Sequence, residues 1–125
     1  MLRAIATAGT GLSRISEAVY RHESGSRIAM PYASEIDGGW WMGSYEGRFD
    51  EALLLCESGT ATVSLHLSRA LVAKHLANLG RSGGRVIFHV DRYAGGFALR
   101  LLGGGAVPLK PFDPVADAVR LGAKA

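Results

Sequence analysis

The sequence predicts an α+β fold, an antiparallel sheet of five to six strands with helices in the order α-β-β-β-(β)-α-β-β-α. Three observations predict it. Apolar residues recur at helical spacing in three segments, short runs between them alternate apolar and polar residues, and Gly or Asp-Gly separates the runs. At 125 residues, 48% hydrophobic and 20% charged, the chain is expected to form one domain, residues 1–125.

The first half is expected to hold one helix and three strands. Residues 10–22 are predicted to be helical because Leu12, Ile15 and Val19 recur at helical spacing. A strand over residues 27–33 contains Pro31, which cannot donate to a ladder and therefore indicates a sheet edge. Asp37-Gly38 then predicts a type I′ turn. Strands are expected at residues 39–45 and 52–56, the second buried on both faces.

The second half begins with an ambiguous segment. Residues 60–68 alternate as a strand does, yet Leu65 also falls in register with the helix that follows, so this helix can begin near Ser64 or after Ser68. It is expected to end at Leu79, before Gly80. Two strands, 86–91 and 97–102, and a last helix over residues 113–121 complete the prediction.

Charge is distributed unevenly along the chain. Residues 1–57 carry five Arg against eight acids, a net −3, and residues 58–125 carry nine Lys and Arg against three Asp, a net +6, which sums to +3. A solvated basic face explains the cations, and a small nucleic-acid-binding domain is the alternative function. The residues that would bind nucleic acid are Arg69, Lys74, Arg81 and Arg85.

A second alternative is an enzyme or metal site. His89 and Asp91 share one face of their strand, and His66 could join them from a neighbouring strand, with Arg100 nearby. The polar side of an antiparallel sheet gives the same pattern, so we predict no catalytic residue, no metal and no cofactor. The single cysteine, Cys56, lies in an apolar run and is expected to be a buried, reduced thiol, which favours a cytoplasmic location. No apolar run approaches the roughly 20 residues of a membrane span.

Two adjacent tryptophans, Trp40 and Trp41, would point to opposite faces of a strand. Both are buried only if both faces are covered, and otherwise one is free to contact a partner. The sequence leaves core and partner contact equally open.

The order of elements, with Ala77-Asn78-Leu79, Gly83-Gly84, Asp91 and a closing helix from Asp113, resembles the class I type III secretion chaperones, the CesT/Tir-chaperone-like family. The resemblance implies a non-enzymatic homodimer that binds the N-terminal segment of a secreted effector and keeps it export-competent. From expected exposure we assign the effector contact to Met30, Trp40, Met42, Leu53 and Leu55, and the dimer interface to Leu71, Val72 and His75.

Overall fold

The computed structural model describes residues 12–16, 19–22, 24–93, 95–113 and 117, and these residues form two β-sheets and one α-helix. The predicted α+β fold is therefore wrong, because the described chain is mostly strand. The elements are β1 (Leu12–Ser16), β2 (Val19–His22), β3 (Arg27–Ala29), β4 (Tyr32–Ser34), β5 (Gly39–Tyr45), β6 (Glu51–Ser58), β7 (Ala61–Leu67), α1 (Arg69–His75), a 3₁₀ turn (Leu76–Asn78), β8 (Gly80–Ser82), β9 (Arg85–Tyr93), β10 (Gly96–Arg100) and β11 (Ala106–Leu109).

The first sheet contains β1, β2, β3, β4, β6 and β7. Strand β6 is its centre: β7 pairs antiparallel along one edge of β6, and β3 and β4 pair parallel to it. β3 and β4 are two pieces of one strand that is interrupted at Met30 and Pro31. Pro31 thus marks a break in the strand predicted over residues 27–33. The second sheet contains β5, β8, β9, β10 and β11, with β9 between β5 and β10.

The main core lies between the two sheets. Leu54 and Leu65 face it from the first sheet, and Phe88 and Leu99 face it from the second. The opposite face of β6 is also buried, in a second cluster that Phe112 closes. β6 is thus buried on both faces, as its continuous apolar run predicts.

The first predicted helix is replaced by β1 and β2, which pair with Leu12 opposite His22. Helical spacing over so few residues is weak evidence, since a short helix is marginal without packing and β2 instead gains a ladder with β3. The predicted helix at 113–121 lies outside the described residues except for Asp113 and Asp117. Strand β11 was not predicted, because Pro108 and the preceding glycines are typical of a loop.

The ambiguous segment is a strand, β7, and the helix begins after Ser68. The Ser68 hydroxyl accepts a hydrogen bond from the Leu71 amide at 3.2 Å and so caps α1. The helix is shorter than expected: it passes into a 3₁₀ turn at Leu76, and Gly80 already belongs to β8. The type I′ turn is confirmed, with positive φ at both Asp37 and Gly38.

Candidate interaction edge

The two tryptophans of β5 have opposite environments. Trp40 is fully buried, and its indole Nε1 donates to the Glu57 carbonyl at 2.8 Å. Trp41 is 49% exposed on the outer face of the second sheet. The alternation of a strand separated the two rings as expected, but the tryptophan at the surface is Trp41 and not Trp40.

The five residues assigned to effector contact are all buried, so the exposure on which that assignment depended is absent. Trp40 and Met42 belong to the main core. Met30, Leu53 and Leu55 form the second cluster under Phe112. The assignment of Leu53 and Leu55 to a partner conflicts with the prediction that residues 52–56 are buried on both faces, and the structure confirms the burial.

The outer side of β5 carries a second half-exposed ring, Tyr45, which is 51% exposed. Each ring is held by the residue directly opposite on β9. Trp41 stacks on His89 with ring centroids 4.1 Å apart and planes 25° apart. The Arg85 guanidinium lies 4.8 Å from the centre of the Tyr45 ring and donates to its hydroxyl at 3.4 Å. Both aromatic side chains are thus fixed from the β9 side while about half of each stays open to solvent.

Gly43 separates the two rings along β5. A Cβ at this position would lie 3.1 Å from Ile87 Cδ1 and 3.3 Å from the Val86 carbonyl oxygen, closer than ordinary contacts allow. The Ile87 side chain therefore occupies the space above the glycine. On the outer face of the sheet, Ile87 opposite Gly43 thus lies between the positions of Trp41 and Tyr45.

The backbone of β5 has an open edge next to these rings. Residues of an antiparallel strand direct their N–H and C=O groups alternately to one neighbour and the other. Gly38 and Glu46 hydrogen-bond to the β9 side, to the Arg92 amide at 2.9 Å and the Gly84 carbonyl at 3.2 Å, so even-numbered residues face β9. Gly39 instead exchanges hydrogen bonds with Ile36, at 3.0 and 2.8 Å, so odd-numbered residues face the other side.

Trp41, Gly43 and Tyr45 therefore direct their backbone groups away from β9. In the described part of the chain no strand pairs with this side of β5 beyond the Ile36–Gly39 bridge. The Tyr45 carbonyl accepts a turn hydrogen bond from the Arg48 amide at 3.2 Å, and a carbonyl has a second acceptor position. The open edge, defined as the outward backbone groups of Trp41, Gly43 and Tyr45, is the candidate site.

The predicted histidine cluster is not assembled. His89 Nε2 is 3.3 Å from Asp91 Oδ1, too poorly aligned for a hydrogen bond, and Arg100 Nε donates to Asp91 Oδ2 at 2.9 Å. Desolvation lowers the pKa of His89, the Asp91 carboxylate opposes this shift, and the Arg100 guanidinium adds to it. His66 lies in the other sheet, so the three residues do not converge.

His66 belongs instead to a buried polar group. Its Nε2 is 2.7 Å from Glu51 Oε1, and the Ser26 hydroxyl donates to Glu51 Oε2 at 2.5 Å. The carboxylate stands between the serine and the histidine, so the histidine is not placed to take the serine proton as a catalytic base does. Among the described residues no three His, Cys, Asp or Glu side chains form a group that could hold a metal ion.

The helix residues assigned to the dimer interface offer little surface. Val72 is buried in the main core, and Leu71 and His75 are mostly buried. Helix α1 contacts β6 and β7, so its apolar side faces inward.

The four cations proposed for nucleic acid are mostly engaged within the chain. Arg81 donates to Glu46 Oε1 at 2.8 Å and to the Leu79 carbonyl at 2.7 Å. Arg69 is 4.0 Å from Asp50, Arg85 lies over the Tyr45 ring, and Lys74, like Arg81 and Arg85, is exposed.

Fold and site together define a mostly β protein of two packed sheets. One edge of the second sheet is the strand β5, which carries two half-exposed aromatic rings. Comparison with protein-family models, with curated proteins and with solved structures finds no match for this chain. In the residues that the structure describes, no helix combines the length and the apolar composition needed to cross a bilayer.

Proposed function

We propose that the chain is a non-enzymatic protein-interaction module that takes up an extended polypeptide strand at the open edge of β5. The observation that supports this proposal most strongly is the outward backbone of Trp41, Gly43 and Tyr45, which meets no strand in the described chain. Backbone hydrogen bonds from a sheet edge give affinity for any extended segment, and neighbouring side chains select among segments.

The sequence of β5 supports the same function. Natural sheets protect their edges with lysine, proline, bulges or short strands. β5 spans seven residues, has no charge and no proline, and keeps an uninterrupted register with β9. An edge of this kind is expected to be covered in the working state of the protein.

The rings beside the edge give the site its chemical preference. A strand added to β5 would place alternate side chains next to Trp41 and Tyr45, so apolar and aromatic residues at every second position are favoured. His89 and Arg85 already hold the rings in place, so little side-chain freedom is lost on binding.

The predicted export-chaperone function is compatible with this binding mode, since an effector segment kept extended can add to a sheet edge. The element order that suggested the family is absent from the described residues. The secreted effector is therefore no more than one candidate among extended partners. A cytoplasmic location, expected from the single buried cysteine, is part of the proposal.

A phage-displayed library of random peptides about 10 residues long, the length of a long strand, tests this function. Selected peptides are titrated against two variants. Tyr45→Ala removes the ring, whereas Tyr45→Pro removes the ring and the outward N–H without touching the ladder to β9. We expect Tyr45→Pro to bind about tenfold more weakly than Tyr45→Ala, the loss of roughly one backbone hydrogen bond plus steric exclusion. Equal binding to both variants, or no peptide selected at a dilution at which the chain is monomeric, contradicts the proposal.

A further inference from the structure

The open edge of β5 is complementary to itself. Resting on the proposed function, we infer that its partner is the β5 strand of a second copy of this chain, paired antiparallel about a two-fold axis at Gly43. This interface differs from the helix residues considered from the sequence, and it would join two five-stranded sheets into one continuous sheet.

The register follows from which backbone groups are available. In a symmetric pair, outward-facing residues of one strand must face outward-facing residues of the other. Centring the axis on Gly43 places Trp41 opposite Tyr45 of the second copy, Gly43 opposite its equivalent, and Tyr45 opposite Trp41. Every outward N–H and C=O of the three residues then has a partner.

Neighbouring registers satisfy fewer groups. An axis at Met42 pairs Trp41 with Gly43 but would require Gly39 opposite Tyr45, and Gly39 already bonds to Ile36. An axis at Ser44 leaves Trp41 without a partner. The Gly43 register alone uses the whole open edge.

Side chains on the outer face favour the same register. Trp41 and Tyr45 of one copy would face Tyr45 and Trp41 of the other, which makes two cross-strand aromatic pairs from rings that are now about half exposed. The two glycines meet at the axis, where side chains larger than hydrogen would crowd the Ile87 side chains.

Charge favours a second copy over a charged segment. β5 contains no Asp, Glu, Lys, Arg or His, so the symmetric pairing brings no like charges of the strand face to face. Beside the strand, Glu46 pairs with Arg81 and Asp91 pairs with Arg100, while Arg85 lies over the Tyr45 ring.

Sedimentation across concentration tests the dimer. Wild type is expected to be dimeric. The dissociation constant of the Tyr45→Pro dimer is expected to be at least about tenfold higher than that of the Tyr45→Ala dimer. Tyr93→Ala, which removes an equally exposed tyrosine from β9, is the matched control and should leave the dimer unchanged.

Disulfide trapping tests the register without a proline. Trp41→Cys and Tyr45→Cys chains should each stay uncross-linked alone but form a covalent dimer when mixed and oxidised, since a hydrogen-bonded pair places Cα atoms about 5.5 Å apart. Cys56 does not interfere, because it is buried. A mixture of Trp41→Cys with Tyr93→Cys is the control and should not cross-link.

The outcomes separate the two proposals. A wild type that stays monomeric, or a dimer that Tyr45→Pro does not weaken and the cysteine mixture does not trap, overturns the second-copy inference. If selected peptides still distinguish Tyr45→Pro from Tyr45→Ala, the strand-addition function stands without it. If the peptides fail as well, both are overturned.

Discussion

Trp41 and His89 lie directly opposite each other on β5 and β9, and their rings stack with centroids 4.1 Å apart. This stacking fixes the orientation of the half-exposed Trp41 ring beside the open edge of the sheet. It also links the pH at which His89 gains a proton to the stability of the sheet that carries the interaction edge.

The desolvated His89 predicts a loss of stability in acid. Its folded pKa is lowered from an ordinary value near 6.5, so below about pH 6.5 the unfolded chain binds more protons than the folded chain. The free energy of unfolding should therefore fall as pH drops through 6.5 toward the folded pKa, and should be fully retained above that range. Urea unfolding of wild type and His89→Gln at several pH values measures this, and the difference between them should change in that window. His75→Gln is the control, and parallel curves for wild type and His89→Gln contradict the prediction.

The buried Glu51 predicts a large mutational cost. Glu51→Ala leaves the Ser26 hydroxyl and the His66 ring without their acceptor, which should lower the free energy of unfolding by about 2–4 kcal/mol. Glu51→Gln, which keeps one acceptor oxygen, should cost less. Glu57 is the comparison, because its carboxylate accepts a hydrogen bond from Ser34 at the exposed surface. Glu57→Ala should lower the free energy of unfolding by less than about 1 kcal/mol. Similar losses for Glu51→Ala and Glu57→Ala would show that the buried group is not structural.

The two tryptophans should be separable by fluorescence. In Trp41→Phe the remaining indole, Trp40, is fully buried, so its emission should be blue-shifted and iodide should hardly quench it. Wild type should show a second, quenchable component from Trp41. If Trp41→Phe leaves the iodide response unchanged, Trp41 is covered in solution, either within one chain or by a second copy in a dimer. Repeating the titration at high dilution separates the two, because only cover by a second copy is lost on dilution.

The thiol of Cys56 should be inert in the folded protein. Burial raises its pKa to about 12, although the Arg92 guanidinium partly opposes this shift, so almost no thiolate is present near neutral pH. A thiol reagent should label the chain only as fast as it unfolds, with full reaction in urea. Rapid labelling in buffer at pH 8 would contradict the buried position of Cys56 on β6.

Local signals predicted those elements whose residues carry the relevant physics themselves. Asp37-Gly38 tolerates the positive φ of a type I′ turn, Ser68 caps a helix with its own hydroxyl, and the alternation over residues 60–68 matches a ladder with β6. These features depend on neighbours in sequence.

Features that depend on distant pairing escaped the sequence. Val19 fits a helix and a strand equally well, and the ladder with Ala29 decided the outcome. The apolar run of residues 52–56 predicts that Leu53 and Leu55 are buried, but it does not reveal that Phe112, far along the chain, covers them. The open edge of β5 could not be predicted either, because a strand's position in a sheet is set by its neighbours.

Amide hydrogen exchange resolved by residue is the sharpest test of whether the β5 edge is open in one chain and pairs with a second copy. At high dilution, Met42 and Ser44 should be protected by their hydrogen bonds to β9, while Trp41, Gly43 and Tyr45 should exchange rapidly. As the protein concentration rises, the three odd-numbered amides should become protected together, as pairing with a second copy requires. If the odd-numbered amides are as protected as Met42 and Ser44 in the dilute monomer, the β5 edge is covered within one chain. If their protection does not change with concentration, the edge does not pair with a second copy.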